Sequence, residues 1–379
     1  MVKLLGGEIE KADLLRKIGR IEQVAGARPV KLASGKAEGI KAWEIYNGSG
    51  LEFCVMESKC LDLLYAKYRG VNLSFLAKPG AVAPEYFNVH GMEFGRYFHG
   101  GMLYTCGLGN IGQSCVDEDT EYNWHGRISQ TPAENTGINA EWNGDEYLIS
   151  VKGDMHEAAH SHEHLVLKRK ISTRLGAKSF TICDTVENQG FKREAIMLLY
   201  HINFGYPLLD RNTRVVLPTS ITENYVNYTK SDEQAFRHIT DPVDGSSCDT
   251  YFHRPATDAS GYTSVAIIND DLRLGVYLRY LRKDFPFMVE WKNMVSGDYA
   301  LALEPCTQYP LNRMSKEAQK NMQFLDPLED RTYNLEIGII DGKEEIHDFE
   351  MKLFGAIKLM SVVLIFTKRN IMPKCGVFK

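Results

Sequence analysis

The sequence predicts a mainly β protein, built as one large antiparallel β-sandwich. Three observations lead there. Glycine (32 residues), tyrosine (19) and phenylalanine (17) are abundant in a chain of 379 residues, a composition suited to many strands joined by tight turns. Short apolar or alternating segments recur between glycine-rich and polar turns along most of the length. No alternation of strands and long helices of the doubly wound kind is present, and no glycine-rich phosphate loop follows a strand, which argues against nucleotide chemistry.

Taken in order, residues 8–24 place Leu14, Leu15, Ile18 and Ile21 at helical spacing, interrupted by Gly19, and predict one or two short helices. Residues 1–35 are expected to form a helical or extended cover. Residues 36–379 are expected to form a single sandwich domain, because no low-complexity linker divides them. GIKAWEIYNGSGLEFCVM reads as a hairpin around Asn47-Gly48. A strand over Cys60–Ala66 and a turn at Arg69-Gly70 follow. YLISVKG, HLVLKRKIST, SFTICDTVEN and EAIMLLYHINFG form the central strands. GYTSVAIIND, LRLGVYLRYLR, MVEWKNM, YALALEP, RTYNLEIGII and VVLIFTK complete the set. Short helical patches are expected in EQAFRHI and SKEAQKN.

Charge and cysteine usage narrow the function classes. The formal net charge is -5, so nucleic acid is not an expected partner. The one basic run, Lys168-Arg169-Lys170, sits beside Leu165-Val166-Leu167 and reads as a solvated strand edge. The N-terminal segment has no apolar signal core, and the longest apolar run, Val362–Phe366, is strand-length. The expected location is therefore cytoplasmic, away from membranes. The eight cysteines are scattered, with no CxxC pair, and are expected to be free thiols. An exposed edge strand would allow a homodimer, so monomer or homodimer is expected.

Five segments hold residues with chemical capacity. RYFHGGMLYTCGLGNIG carries paired glycines beside His99 and reads as a tight aromatic-packed turn or as a ligand-approach site. YNWHGRISQTPAENT places Trp124, His125 and Arg127 together in a loop rich in hydrogen-bonding groups, which suits binding on a rigid scaffold. In LLYHINFGYPLLD, alternation puts His201 and Asn203 on one side of a strand, either as functional groups or as a satisfied core pair. In VEWKNMVSGDYALALEPCTQYP, Glu304 ends an apolar strand, as a general base facing a cavity would, and Trp291 offers an apolar face. Lys292 and Asp298, in the same segment, are compatible with ordinary surface charge. The fifth segment, DMHEAAHSHEHL, matches HExxH in letters at 156–160. Its context is a turn between strands, so a solvated histidine-rich loop is expected and no metal site.

Four of these stretches, GGMLYTCGL, WHGRISQTPAE, LLYHINFGYPLLD and YALALEPCT, stand in this order and together resemble a branch of the aldose 1-epimerase (galactose mutarotase-like) family. The resemblance runs from about Trp43 to Phe366. It implies the large sandwich of that family, a carbohydrate substrate, and anomer interconversion with no cofactor. It also implies His201 as general acid, Glu304 as general base, and His125 in a substrate-contacting loop. Arg127, Asn203, Trp291 and Lys292 are further expected sugar contacts, and Asp249 is the candidate for the family's substrate-binding aspartate. The run Leu-Tyr-His-Ile-Asn-Phe-Gly departs from the usual wording of mutarotases, which leaves the sugar open. Because the same sandwich serves other activities, an epimerase acting at another carbon, a lyase, or a non-catalytic sugar-binding protein stands as the alternative.

Overall fold

The computed structural model describes residues 2–4, 7–90, 93–117, 120–224 and 233–354. The strand expected in VVLIFTK lies outside them. Among the described residues three antiparallel sheets dominate. One has eight strands, in the spatial order 134–143, 146–158, 164–174, 179–188, 330–341, 274–281, 262–269 and 213–216. The second runs 219–224, 249–255, 287–293, 300–306, 194–204 and 323–325, with 104–108 also paired to 194–204. The third joins 26–31, 41–46, 51–56, 62–68 and 71–72. The first two sheets form the sandwich predicted from the sequence.

Among the described residues the expected strands form close to where the patterns place them, the one expected over Cys60–Ala66 spanning Asp62–Tyr68, and their period of two assigns each side chain to a face. In Glu194–Phe204, Leu198, Tyr200, Ile202 and Phe204 enter the main core between the sheets, whereas Met197 and Leu199 join a second apolar cluster on the opposite face. A strand buried on both faces reads as a continuous apolar run, which is why EAIMLLYHINF shows so little alternation. The hairpin predicted at Asn47-Gly48 is present, with Gly48 at φ 78°. Asn47 is fully buried there, and its amide donates to Thr173 Oγ1 and to the Ala177 carbonyl. Short helices cover Lys11–Lys17, Glu233–Arg237 and Lys316–Asn321. The strand Gly26–Lys31 is the edge of the five-stranded sheet, and Leu14 and Ala25 enter the main core, so residues before 36 pack with the body.

The basic run corrects one expectation. Lys168 and Lys170 are exposed, but their strand is interior to the eight-stranded sheet and Arg169 is buried. Its guanidinium grips Asp184 through two nitrogens, at 2.6 and 2.9 Å, and donates to Asp62 at 3.0 Å. Asp62 also accepts from the Thr105 amide and from the Thr105 and Ser129 hydroxyls, so the network pins the 104–108 strand and the turn after His125. Paired carboxylates are what make a buried guanidinium tolerable. Arg169→Met strands two buried carboxylates, and we expect a loss of about 3–5 kcal/mol of stability, read from urea denaturation midpoints.

Candidate active site

The face of the second sheet turned away from the main core is a bed built in rows. Tyr104 pairs with His201, and Val289 pairs with both Glu304 and Phe252. The register Ile202↔Leu303 and Leu199↔Cys306 sets His201 directly opposite Glu304. Directly paired residues in a sheet point to the same face, so Tyr104, His201, Glu304, Val289 and Phe252 form one row. One step along lies the row Asn203, Ala302, Trp291 and Thr250. A cavity of about 580 Å³ opens on this bed, within the usual range for small-molecule sites.

His201 and Glu304 meet at its floor. His201 Nε2 lies 3.2 Å from Glu304 Oε1, and both side chains are almost fully buried. Burial pushes His201 down to about 3, a shift partly offset by the Asn203 side chain. Burial also drives Glu304 well above the usual carboxylate range. Both shifts have one cause, the cost of charge among Phe98, Trp291 and Val289. The pair therefore rests neutral, one proton shared between carboxyl and imidazole.

His125 completes the polar floor from a loop. Its backbone is left-handed, φ 61°, and its amide donates to the Gly112 carbonyl at 2.8 Å. The Gly112 amide donates to His125 Nδ1 at 3.2 Å, so Nδ1 is an acceptor and the proton of the neutral ring sits on Nε2. Burial and the neighbouring His201 hold His125 well below its ordinary value. The two imidazoles meet edge to face with centroids 5.9 Å apart. The glycine that follows is required: a Cβ on Gly126 would stand 2.1 Å from the Gly107 carbonyl oxygen.

Of the eight residues singled out in the sequence, five line the cavity: His125, His201, Asp249, Trp291 and Glu304. Asp249 is exposed at the end of its strand, and the Trp291 ring lies edge-on to His201 at 5.6 Å. Three are not in the cavity wall. Lys292 follows Trp291, so alternation turns it to the other face, where its ammonium donates to the Ala235 and His238 carbonyls. Arg127 donates instead to the Glu121 carbonyl. Asn203 shares the face of His201 but is covered, its amide donating to the carbonyls of Gly100 and His201. Asp298, read as ordinary surface charge, stands at the cavity rim paired with Lys78 at 2.5 Å. Asn293 and Phe98 also line the cavity and went unremarked in the sequence. Asn293 stands two residues after Trp291, so alternation was a usable signal for it; Phe98 arrives from a loop and left none.

The HEAAH letters lie on a β-hairpin. His156 stands two residues before the end of one strand, His164 begins the next, and their rings approach at 3.3 Å. A zinc-protease motif needs both histidines on one helix face, and this backbone does not provide it. No group of three or more His, Cys, Asp or Glu suited to a metal occurs among the described residues.

The comparisons agree with this architecture. The family model described as "Domain of unknown function (DUF4432)" matches residues 37–339. No curated protein sequence matches the chain. Among solved structures, one described as a "putative aldose 1-epimerase" from Klebsiella pneumoniae superposes with a TM-score of 0.83 at 21% identity, over 89% of this chain and 90% of that one. A galactose mutarotase-like protein from Clostridium acetobutylicum gives 0.58 at 15% identity, over 84% and 99%. The galactose 1-epimerase of Lactobacillus acidophilus gives 0.56 at 10% identity, over 84% and 99%. With its family model covering most of the sandwich and that fold shared across these structures, the chain belongs to the DUF4432 family, a branch of the galactose mutarotase-like fold.

Proposed function

We propose that this protein is an aldose 1-epimerase that interconverts the anomers of a free sugar, with Glu304 and His201 acting as one proton-transfer pair. The observation that carries the reading is their direct 3.2 Å approach on the floor of an aromatic-walled cavity. Anomer exchange needs the proton of the anomeric hydroxyl removed while the ring oxygen gains one. With Glu304 ionised and His201 protonated, the carboxylate takes the hydroxyl proton, the C1–O1 double bond forms, and the C1–O5 bond breaks. The imidazolium proton goes to O5. The pair is left as carboxylic acid and neutral imidazole, the form that burial favours. Rotation about C1–C2 presents the other carbonyl face, and ring closure returns both protons. No electron or co-reactant is consumed. The Nε2–H of His125 is available to a sugar hydroxyl, and Trp291 offers its face to the C–H side of the ring.

The pH dependence follows from the shared proton. The active pair holds one proton in either arrangement. A second proton must enter through His201, which burial lowers to about 3, so the acid limb lies near 3. The shared proton is lost through Glu304, which burial raises, so the alkaline limb lies above the usual carboxylate range. Activity at pH 3.5 is expected within about twofold of that at pH 6, where independent, solvated groups, with an acid limb at about 4.3, would lower it by about fivefold or more. Initial rates across that interval, on protein checked for folding by circular dichroism, decide the point. The reading as a whole is tested by saturation-transfer NMR on a panel of reducing sugars. A panel in which no sugar exchanges faster than the uncatalysed rate removes it, and leaves another carbohydrate activity or simple sugar binding.

A further inference from the structure

One buried polar atom in the cavity has no use in the chemistry above. Asn293 is 8% exposed and lines the cavity, and its Oδ1 has no hydrogen-bond partner. An unmet buried carbonyl of this kind costs stability unless something binds it. Its position along the bed is informative. Glu304 pairs with Val289, and Asn293 lies four residues further along the same strand, facing the same way. At a strand rise of about 3.4 Å per residue, that is about 14 Å from the reacting row. Between them, on the same face of the strand, stands Trp291, which also lines the cavity. At the far end, Asp249 and the Lys78–Asp298 pair form a polar rim.

One pyranose ring, from its anomeric oxygen to the oxygen on the opposite carbon, covers less than half of that distance. Two linked rings cover most of it, with hydrogen bonds at each end making up the remainder. The charge balance also selects. Glu304, Asp249 and Asp298 bring carboxyl groups to the cavity, and Lys78, the only Lys or Arg among its described lining residues, is engaged by Asp298. Nothing in that set rewards a phosphate or a carboxylate on the ligand.

We infer that the cavity holds a second sugar subsite, beyond Trp291 and centred on Asn293, and that the substrate is a neutral reducing disaccharide. This rests on the anomer-exchange reading for the role of the first subsite, where the reducing ring sits over His201 and Glu304. The second ring lies against Trp291 and donates a hydroxyl to Asn293 Oδ1.

Calorimetric titration of the full-length protein with maltose, cellobiose and lactose, against glucose and galactose, tests the subsite without requiring turnover. The expected result is that at least one disaccharide binds about tenfold more tightly than either monosaccharide. Asn293→Ala should remove that advantage, about one hydrogen bond's worth, while leaving monosaccharide affinity within about twofold. Asn293→Ser, a smaller change, guards against misfolding and should retain part of the advantage. In saturation-transfer NMR the same variants should raise KM for the disaccharide and leave kcat unchanged. Disaccharides binding no more tightly than monosaccharides, or an Asn293→Ala loss shared equally by both, overturns the subsite, as does the absence of any sugar binding. Preferential disaccharide binding that depends on Asn293, with no exchange of any sugar, sustains the subsite and rejects the mutarotase reading instead.

Discussion

Glu304→Gln should depress anomer exchange by about 10²–10⁴-fold, the usual worth of a positioned general base, with KM changed by less than about threefold. The substitution keeps the size and shape of the side chain. It fits the space above Cys106 and Cys306, both buried close enough to the carboxyl to feel its charge. What it removes is the group able to exchange a proton. An amide beside neutral His201 leaves no carboxyl to trade a proton with the imidazole, and an imidazole held down to about 3 is not in its protonated form at neutral pH. Because the variant amide needs no ionisation in a buried setting, Glu304→Gln should be at least as stable as the wild type, so the loss is not one of folding. Saturation-transfer rates on the folded variant check this. Undiminished exchange would take the base away from Glu304.

His201→Asn should cost a comparable factor, for a different reason. Glu304 then loses the imidazole 3.2 Å away that receives its proton. Burial, which already drives the carboxyl well above its ordinary range, keeps it protonated and useless as a base. Two groups that share one proton act as a unit, so their losses should not multiply. The double variant Glu304→Gln, His201→Asn should exchange anomers about as slowly as either single variant. Kinetics on all four forms make the cycle. A double variant slower than the wild type by the product of the two losses would mean that the residues act independently, contrary to their 3.2 Å approach.

The reason these two residues could be named from the sequence lies in strand periodicity. His201 interrupts an apolar strand and Glu304 follows the apolar run of another, and in each case the polar side chain occupies a position where a merely structural strand would hold an apolar one. Trp291 was legible in the same way. Lys292 was misassigned although the same rule excludes it: neighbours on a strand face opposite ways, so Trp291 and Lys292 cannot both line one cavity. Arg127 was misassigned for another reason. In a loop no period fixes the direction of a side chain, and the carbonyl of Glu121 captured the guanidinium.

The sequence by itself determined most of the long central strands, the antiparallel sandwich and the candidacy of His201, Glu304, His125 and Trp291. Those follow from local alternation, turn residues and the order of four motifs, all of which are properties of short stretches of chain. Only the tertiary structure decided the rest. Register places His201 opposite Glu304, residues 103 positions apart along the chain. Arg169 reads as surface charge until Asp62 and Asp184 are brought to it from separate strands. The proton affinities of the pair are likewise set by burial, and burial is made by residues remote in sequence. Alternation can say which way a side chain points, but what it meets there depends on which strands the fold lays alongside.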